Sequence, residues 1–361
     1  MKVELGISTF GETTPLEKTG KAISHDQRIR DLVDEIVLAD KLGIGAYAIG
    51  EHHRKDFAVS APEIVLAMAA SKTKQIHLSS ATTNLPTINS IRVYEQYATM
   101  DAIAPGRIEI MAGRGSFTEA FDLFGYDLND YNDLFKEKLD MLLAINKNEI
   151  LNWPGGKFTP KVDHTGIYPR PEKPLPISLA TGGSPASTIR AAEMGLPIVY
   201  AIIGGKMEHF APLIKLYKAV AERTGQDLSK MPIAAHSWSW LSDDKDKAIK
   251  EYFYPTKLLV DAISKERPNW TGMSYDQYLE GLADDGVMFV GDSETVANKI
   301  IRMMETLGLT RFYLHLPIAS MPHEDIMKAI EIYGNEVVPK VKKHFKDKEN
   351  KKKLFSFKWK K

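Results

Sequence analysis

An arginine between two glycines and an adjacent pair of histidines are the residues of this chain best equipped for chemistry. Ala112-Gly113-Arg114-Gly115-Ser116-Phe117 follows the apolar run Ile108-Glu109-Ile110-Met111. Glu51-His52-His53 follows Ala46-Tyr47-Ala48-Ile49-Gly50. Both runs read as buried strands, and in α/β chains ligands collect at the carboxyl ends of strands. Glycines let backbone come close to a ligand and a guanidinium forks two oxygens, so Arg114 suits a phosphate. Its alternative is a salt bridge to Glu109 or Glu119. Consecutive strand residues point to opposite faces, so one histidine reaches a site and the other packs or hydrogen-bonds outside it. His52 is expected to handle a proton beside the bound anion, against a purely structural His pair.

A third stretch, Ala180-Thr181-Gly182-Gly183-Ser184-Pro185-Ala186-Ser187-Thr188, leaves a strand and opens a helix. Ser184 suits an N-cap with Pro185 at the first helical position. The free N–H groups of that turn, two glycines and two hydroxyls make either an anion site or simply a well-capped helix. In Ser79-Ser80-Ala81-Thr82-Thr83-Asn84-Leu85-Pro86, small hydroxylated residues leave room for a flat ring, or run into a proline-ended turn. Phe10, Phe117, Trp238, Trp240 and Met288 line an apolar pocket or fill the core. No metal is expected, because the other histidines, His236 and His315 among them, show no ligand spacing. The chain has no cysteine, which excludes disulfides and thiolate chemistry. The dinucleotide fingerprint Gly-x-Gly-x-x-Gly with a following acid is absent.

The elements that must position these residues alternate along the chain. Strand candidates fall at 3–9, 46–51, 76–83, 107–112, 176–181, 197–203, 232–240 and 311–317. Between them lie amphipathic helices. In the first, Ile29, Leu32, Val33, Ile36, Val37 and Leu42 form one stripe while Asp40 and Lys41 face away. Gly43 stops it, and Gly195 and Gly308 repeat that ending. Eight strand–helix units predict an α/β fold of one domain over 1–341, a (β/α)8 TIM barrel with insertions at the C-terminal face, against an open doubly wound sheet. The insertions are about 148–174 and 242–286, and they wall the site or decorate the fold. The lysine-rich tail, 342–361, reads as a frayed solvated end rather than a partner-binding arm.

The 361 residues carry 47 Lys plus Arg and 47 Asp plus Glu, which gives no reason to expect nucleic acid or an anionic membrane as partner. No apolar run approaches ~18 residues, and no basic-then-apolar leader opens the sequence, so a cytoplasmic setting is expected.

In their order along the chain these residues resemble the bacterial luciferase-like flavin monooxygenases. The landmarks are Glu51-His52-His53, Asn84-Leu85-Pro86, Pro105-Gly106-Arg107-Ile108 leading to Gly113-Arg114-Gly115, Gly183 to Thr188 before Gly195-Leu196-Pro197, and Phe289-Val290-Gly291-Asp292-Ser293-Glu294-Thr295-Val296-Ala297. The resemblance runs from Met1 to about residue 345. It implies FMN at the carboxyl face of the barrel. Arg114 then grips the flavin phosphate, and Gly183, Ser184 and Ser187 form a second phosphate cradle. His52 lies near the oxygen-reacting edge, and a non-prolyl cis peptide near Ala81–Thr82 sits under the ring. Where luciferase has a reactive cysteine this chain has Gly113, so light emission is not implied. The implied reaction uses reduced FMN, supplied by a separate flavin reductase, and O2 to oxidise a small organic substrate through a flavin C4a-peroxide. The alternatives are hydride transfer with the deazaflavin F420, or flavin binding without catalysis. The family often dimerises, so a homodimer is implied as well.

Overall fold

The structure, a computed structural model, describes residues 3–115, 117–265 and 271–358. Eight parallel strands form the barrel: β1 Glu4–Thr9, β2 Ala46–Ile49, β3 His77–Ser80, β4 Ile108–Gly113, β5 Ile177–Thr181, β6 Ile198–Ala201, β7 Ile233–Leu241 and β8 Arg311–His315. They pair in chain order, and β8 closes on β1 with His315 opposite Ser8. This is the TIM barrel expected.

Strand alternation sorts each strand into an outer and an inner row. On β1, Leu5 and Ile7 are fully buried among side chains of the surrounding helices, such as Leu32 and Ile36. Glu4, Gly6 and Ser8 turn inward. An inner cluster of Ala46, Ala48, Ala81, Met111, Val199, Ala234 and Tyr313 fills the middle of the barrel. Gly6 is required there, because a Cβ would lie 2.8 Å from the Tyr313 ring.

The first helix, His25–Lys41, is N-capped by Ser24 and buries Leu32, Val33 and Ile36. Asp40 does not face away as expected. It is buried and accepts from the backbone N–H groups of Lys74, Gln75 and Ile76 at 2.8–2.9 Å. The helix end meets the entry to β3, and backbone donors there satisfy the carboxylate. The three expected glycine stops all take left-handed backbone.

The insertion at 148–174 holds a hairpin, Ile150–Trp153 with Val162–Gly166. That at 242–286 holds the helices Lys245–Ser264 and Tyr275–Leu282, and its residues 266–270 lie outside those described. A short strand, Phe289–Gly291, extends the far end of β7. The tail is not frayed through its described part. Val338–Lys358 is one helix, in which Val341 and Phe345 are buried and His344 and Lys348, one turn apart, both reach Glu305 Oε1 at 2.8 and 2.7 Å. Residues 359–361 lie outside those described. No described helix is long and apolar enough to cross a membrane.

Candidate active site

All eight strand ends contribute to one cavity at the carboxyl face. Its wall includes Ser8, His52, Ala81, Thr82, Met111, Gly113, Arg114, Thr181, Ala201, His236 and Tyr313. Leu259 and Ile263 of the helix Lys245–Ser264 also line it, so the second insertion walls the site.

The arginine and the serine turn meet. Arg114 Nη2 donates to Ser187 Oγ at 2.8 Å, and Nη1 donates to Asn132 Oδ1 at 2.7 Å. The guanidinium lies over the rings of Tyr131 and Phe135, which adds cation–π attraction. Neither expected carboxylate takes it: Glu109 pairs with Arg311, and Glu119 lies beneath the histidines. Ser187 sits in the first turn of the helix Pro185–Glu193, and Ser184 caps that helix by accepting from the Ser187 N–H at 3.4 Å. The N–H groups of Gly183 and Ser184 donate to Thr181 Oγ1, so Gly183, at φ 109°, shapes the turn.

The glycines beside Arg114 answer to their neighbours. A Cβ on Gly113 would come within 2.4–2.6 Å of the Thr82 side chain, and one on Gly115 within 2.9 Å of Asn84 Oδ1. Thr82 follows a cis peptide at Ala81–Thr82, where the resemblance placed one. Ser116, part of the same motif, lies outside the described residues.

The two histidines divide as expected, although β2 ends at Ile49 and both lie in the loop beyond it, so the strand period is not what separates them. His52 is 4% exposed and lies among the rings of Phe10, Phe57 and Phe117 at 4.8, 4.4 and 5.2 Å. Its Nδ1 is 3.9 Å from Glu119 Oε1. Burial pushes the Glu119 carboxyl up, but the contact with His52 and nearby N–H donors outweigh it and hold the group below its ordinary value. The second oxygen, Oε2, is buried without a partner. His53 turns to Glu51 Oε1 at 3.1 Å, and that hydrogen bond raises its pKa. Glu51 Oε2 in turn accepts from the Asn84 N–H at 2.9 Å, which ties the end of β2 to the turn after β3.

His236 also faces the cavity, with Nδ1 3.4 Å from Ser8 Oγ. Burial, with His315 adding to it, pushes its pKa down to about 3, so the ring is neutral near pH 7. Of the expected apolar lining, Phe10, Phe117 and Trp238 are in place. Trp240 instead stacks on Tyr252 in the core, and Met288 borders a separate hollow. Asn132, Phe57, Ser8 and His236 were not singled out in the sequence.

The chain matches the luciferase-like monooxygenase family over residues 3–311. It belongs to that family. It is similar to the N-acetyl-S-alkylcysteine monooxygenase of Bacillus subtilis (strain 168), 26% identical over 297 residues that span 78% of this chain and 84% of that one. Two solved structures share the fold. The oxygenating constituent of 3,6-diketocamphane monooxygenase from Pseudomonas putida, in complex with FMN, superposes with a TM-score of 0.75 at 22% identity, covering 94% of this chain and 98% of that one. An F420-dependent secondary alcohol dehydrogenase in complex with an F420-acetone adduct gives 0.73 at 20%, covering 94% and 99%. The family is one of oxidoreductases. The cavity suits a flat ring, since Ala81, Ala180, Gly182 and Ala201 are small and a Cβ on Gly182 would meet nothing within 4 Å.

Proposed function

We propose that the chain is a flavin-dependent monooxygenase that uses reduced FMN and O2 to oxidise a small organic substrate. The observation that carries this reading is the Arg114–Ser187 hydrogen bond, which joins two anion-binding elements at the rim of a cavity walled by His52. The FMN-bound relative of similar fold supports the choice of cofactor. FMN would supply the electron chemistry with O2; the protein orients it, tunes it and excludes water.

Arg114 and the Ser187 hydroxyl hold the phosphate by charge-assisted and neutral hydrogen bonds, with Gly183 and Ser184 shaping the turn. Arg114 therefore fixes the cofactor by its tail. Ala81 and Thr82, on the cavity wall, would support the ring. His52 holds or moves a proton at the reacting edge. Its contact to Glu119 engages Nδ1, which leaves Nε2 for the cavity. At 3.9 Å that contact is long, as such pairs often are before a ligand binds. Phe10, Phe57 and Phe117 keep water from the imidazole. A separate flavin reductase would deliver the reduced cofactor, and a homodimer is part of the same reading.

The test is a titration with FMN and F420 side by side, followed by turnover. Oxygen consumption with reduced FMN and an organic substrate is the expected result. Hydride transfer from reduced F420 under nitrogen, with no oxygen uptake, would replace the reading with a dehydrogenase. Flavin binding with no turnover of any substrate would replace it with a carrier.

A further inference from the structure

A line of buried polar groups leads from the loop after β1 to the cavity and takes no part in the mechanism above. Glu12, His315 and Ser8 are each at most 1% exposed. Glu12 Oε1 lies 3.2 Å from His315 Nε2, His315 Nδ1 lies 3.2 Å from Ser8 Oγ, and Ser8 Oγ lies 3.4 Å from His236 Nδ1. Barrel closure builds the line, since β8 sets His315 in register with Ser8 while His236 approaches from β7. Phe10 covers it at 4.3 Å from the His315 ring.

We infer that His236, held by Glu12, His315 and Ser8, is a second proton-accepting wall of the cavity, serving a ligand that presents an O–H or N–H hydrogen to β7. The inference rests on the proposed function only in taking this cavity as the place of reaction.

The donors and acceptors run in one direction. As a carboxylate Glu12 only accepts: Oε2 takes the Thr9 hydroxyl at 3.2 Å, and Oε1 faces His315 Nε2 at 3.2 Å. His315 therefore carries its hydrogen on Nε2 and accepts at Nδ1. The single Ser8 hydroxyl hydrogen points to that Nδ1, so the Ser8 oxygen accepts from His236 Nδ1–H. His236 is left with a bare Nε2. A ligand proton taken up at His236 Nε2 releases the Nδ1 proton to Ser8, which passes its own to His315 Nδ1. Three hydrogens each shift by one hydrogen bond, the net transfer is one proton from the ligand to His315, and no bond between heavy atoms changes. The positive charge does not rest on His236, where burial disfavours it, but arrives on His315 beside Glu12. The spacings of 3.2–3.4 Å keep each pair within hydrogen-bond reach.

A purely structural role is the competing account, because Glu12 also anchors the segment after β8 through its carbonyl and the Ser320 hydroxyl at 3.1 Å. Nitrogen-15 NMR of the histidine rings in the full-length protein without flavin separates the two. The expected result is the Nδ1–H tautomer at His236 and the Nε2–H tautomer at His315. Glu12→Gln, whose amide can also donate, should shift the tautomer balance of both rings. Ser8→Ala, a small change that removes no titratable group, should release His236 from its fixed tautomer even if Glu12→Gln fails to fold. In the double variant the change at position 12 should reach His315 and no longer reach His236. An Nε2–H tautomer at His236 in the wild type, or a His236 signal indifferent to Ser8→Ala, would overturn the inference. Flavin binding is not needed for this readout, so a failure of the flavin reading leaves it intact. In turnover at saturating flavin, Ser8→Ala should slow substrate oxidation by about 10-fold or more, the scale of an impaired proton transfer. An unchanged rate would also overturn it.

Discussion

The two ends of the barrel interior are built by the same alternation and come out as opposites. At the amino end Arg311 donates to Glu4, to both oxygens of Glu109 at 2.6 and 2.9 Å, and to the Tyr313 hydroxyl at 3.2 Å. His77 Nδ1 lies 2.8 Å from Glu4. That end is a partly exposed cluster in which every charge is paired. At the carboxyl end Glu119 keeps a buried oxygen without a partner, and His52 stands 3.9 Å from the other. Buried polar groups that are fully paired rigidify a fold; buried groups with bonding capacity to spare await a ligand. Polarity inside the barrel is thus no mark of a site by itself; what sets the carboxyl end apart is the open cavity that His52 and Arg114 line.

The comparison can be broken at either end. Arg311→Met leaves the partly buried Glu4 and Glu109 side by side with only the His77 imidazole between them, and should cost about 1–3 kcal/mol in chemical unfolding while the folded fraction keeps its flavin affinity. A loss of binding with stability intact would reverse the roles of the two ends. His52→Ala should keep FMN bound and slow substrate oxidation by about 100-fold, measured as steady-state kcat. A wild-type rate would remove the imidazole from the chemistry. Gly113→Ala drives a methyl into Thr82 and should destabilise by ~1–3 kcal/mol, read by thermal unfolding. Unaltered stability would mean that the space beside Gly113 belongs to the ligand.

The smallest effect belongs to His77. Its hydrogen bond to Glu4 raises its pKa against the opposing pull of burial. A raised imidazole contributes stability in full below its ordinary value of about 6.5, and loses it as pH climbs through the raised value. His77→Gln should therefore be less stable than the wild type at about pH 6, by under ~1 kcal/mol for so exposed a pair, with the gap closing at alkaline pH. A gap that widened with pH would contradict the pairing.

Much of this was legible in the sequence because the signals are local. Glycine stops, N-caps and short apolar runs gave the eight units; His52 and His53 do divide, but in the loop after Ile49, where the bond from His53 to Glu51 and not the strand period turns them apart. Arg114 and the turn at 183–188 could be marked as two anion elements from their own residues. Other features depend on closure. Ser8, His236 and His315 touch across 228 and 307 residues, distances at which no spacing rule operates. Asn132 meets Arg114 only because a helix packs over the end of β4. Asp40 obeyed its helical period and was still buried, because loop N–H groups met it. The tail carried Phe345 among its lysines, one turn after the buried Val341 that ends the domain, and a low average hid it.

The central claim is that Arg114 and Ser187 recognise the phosphate of a flavin and leave its ring to the rest of the cavity. The direct measurement is equilibrium binding of FMN and of riboflavin, which lacks the phosphate, to the wild type and to Arg114→Ala. FMN should bind the wild type more tightly than riboflavin, and the substitution should weaken FMN by ~1.5–3 kcal/mol, the scale of a charged hydrogen bond, while leaving riboflavin unchanged. Equal affinity of the wild type for the two flavins, or an equal loss for both in the variant, would contradict it.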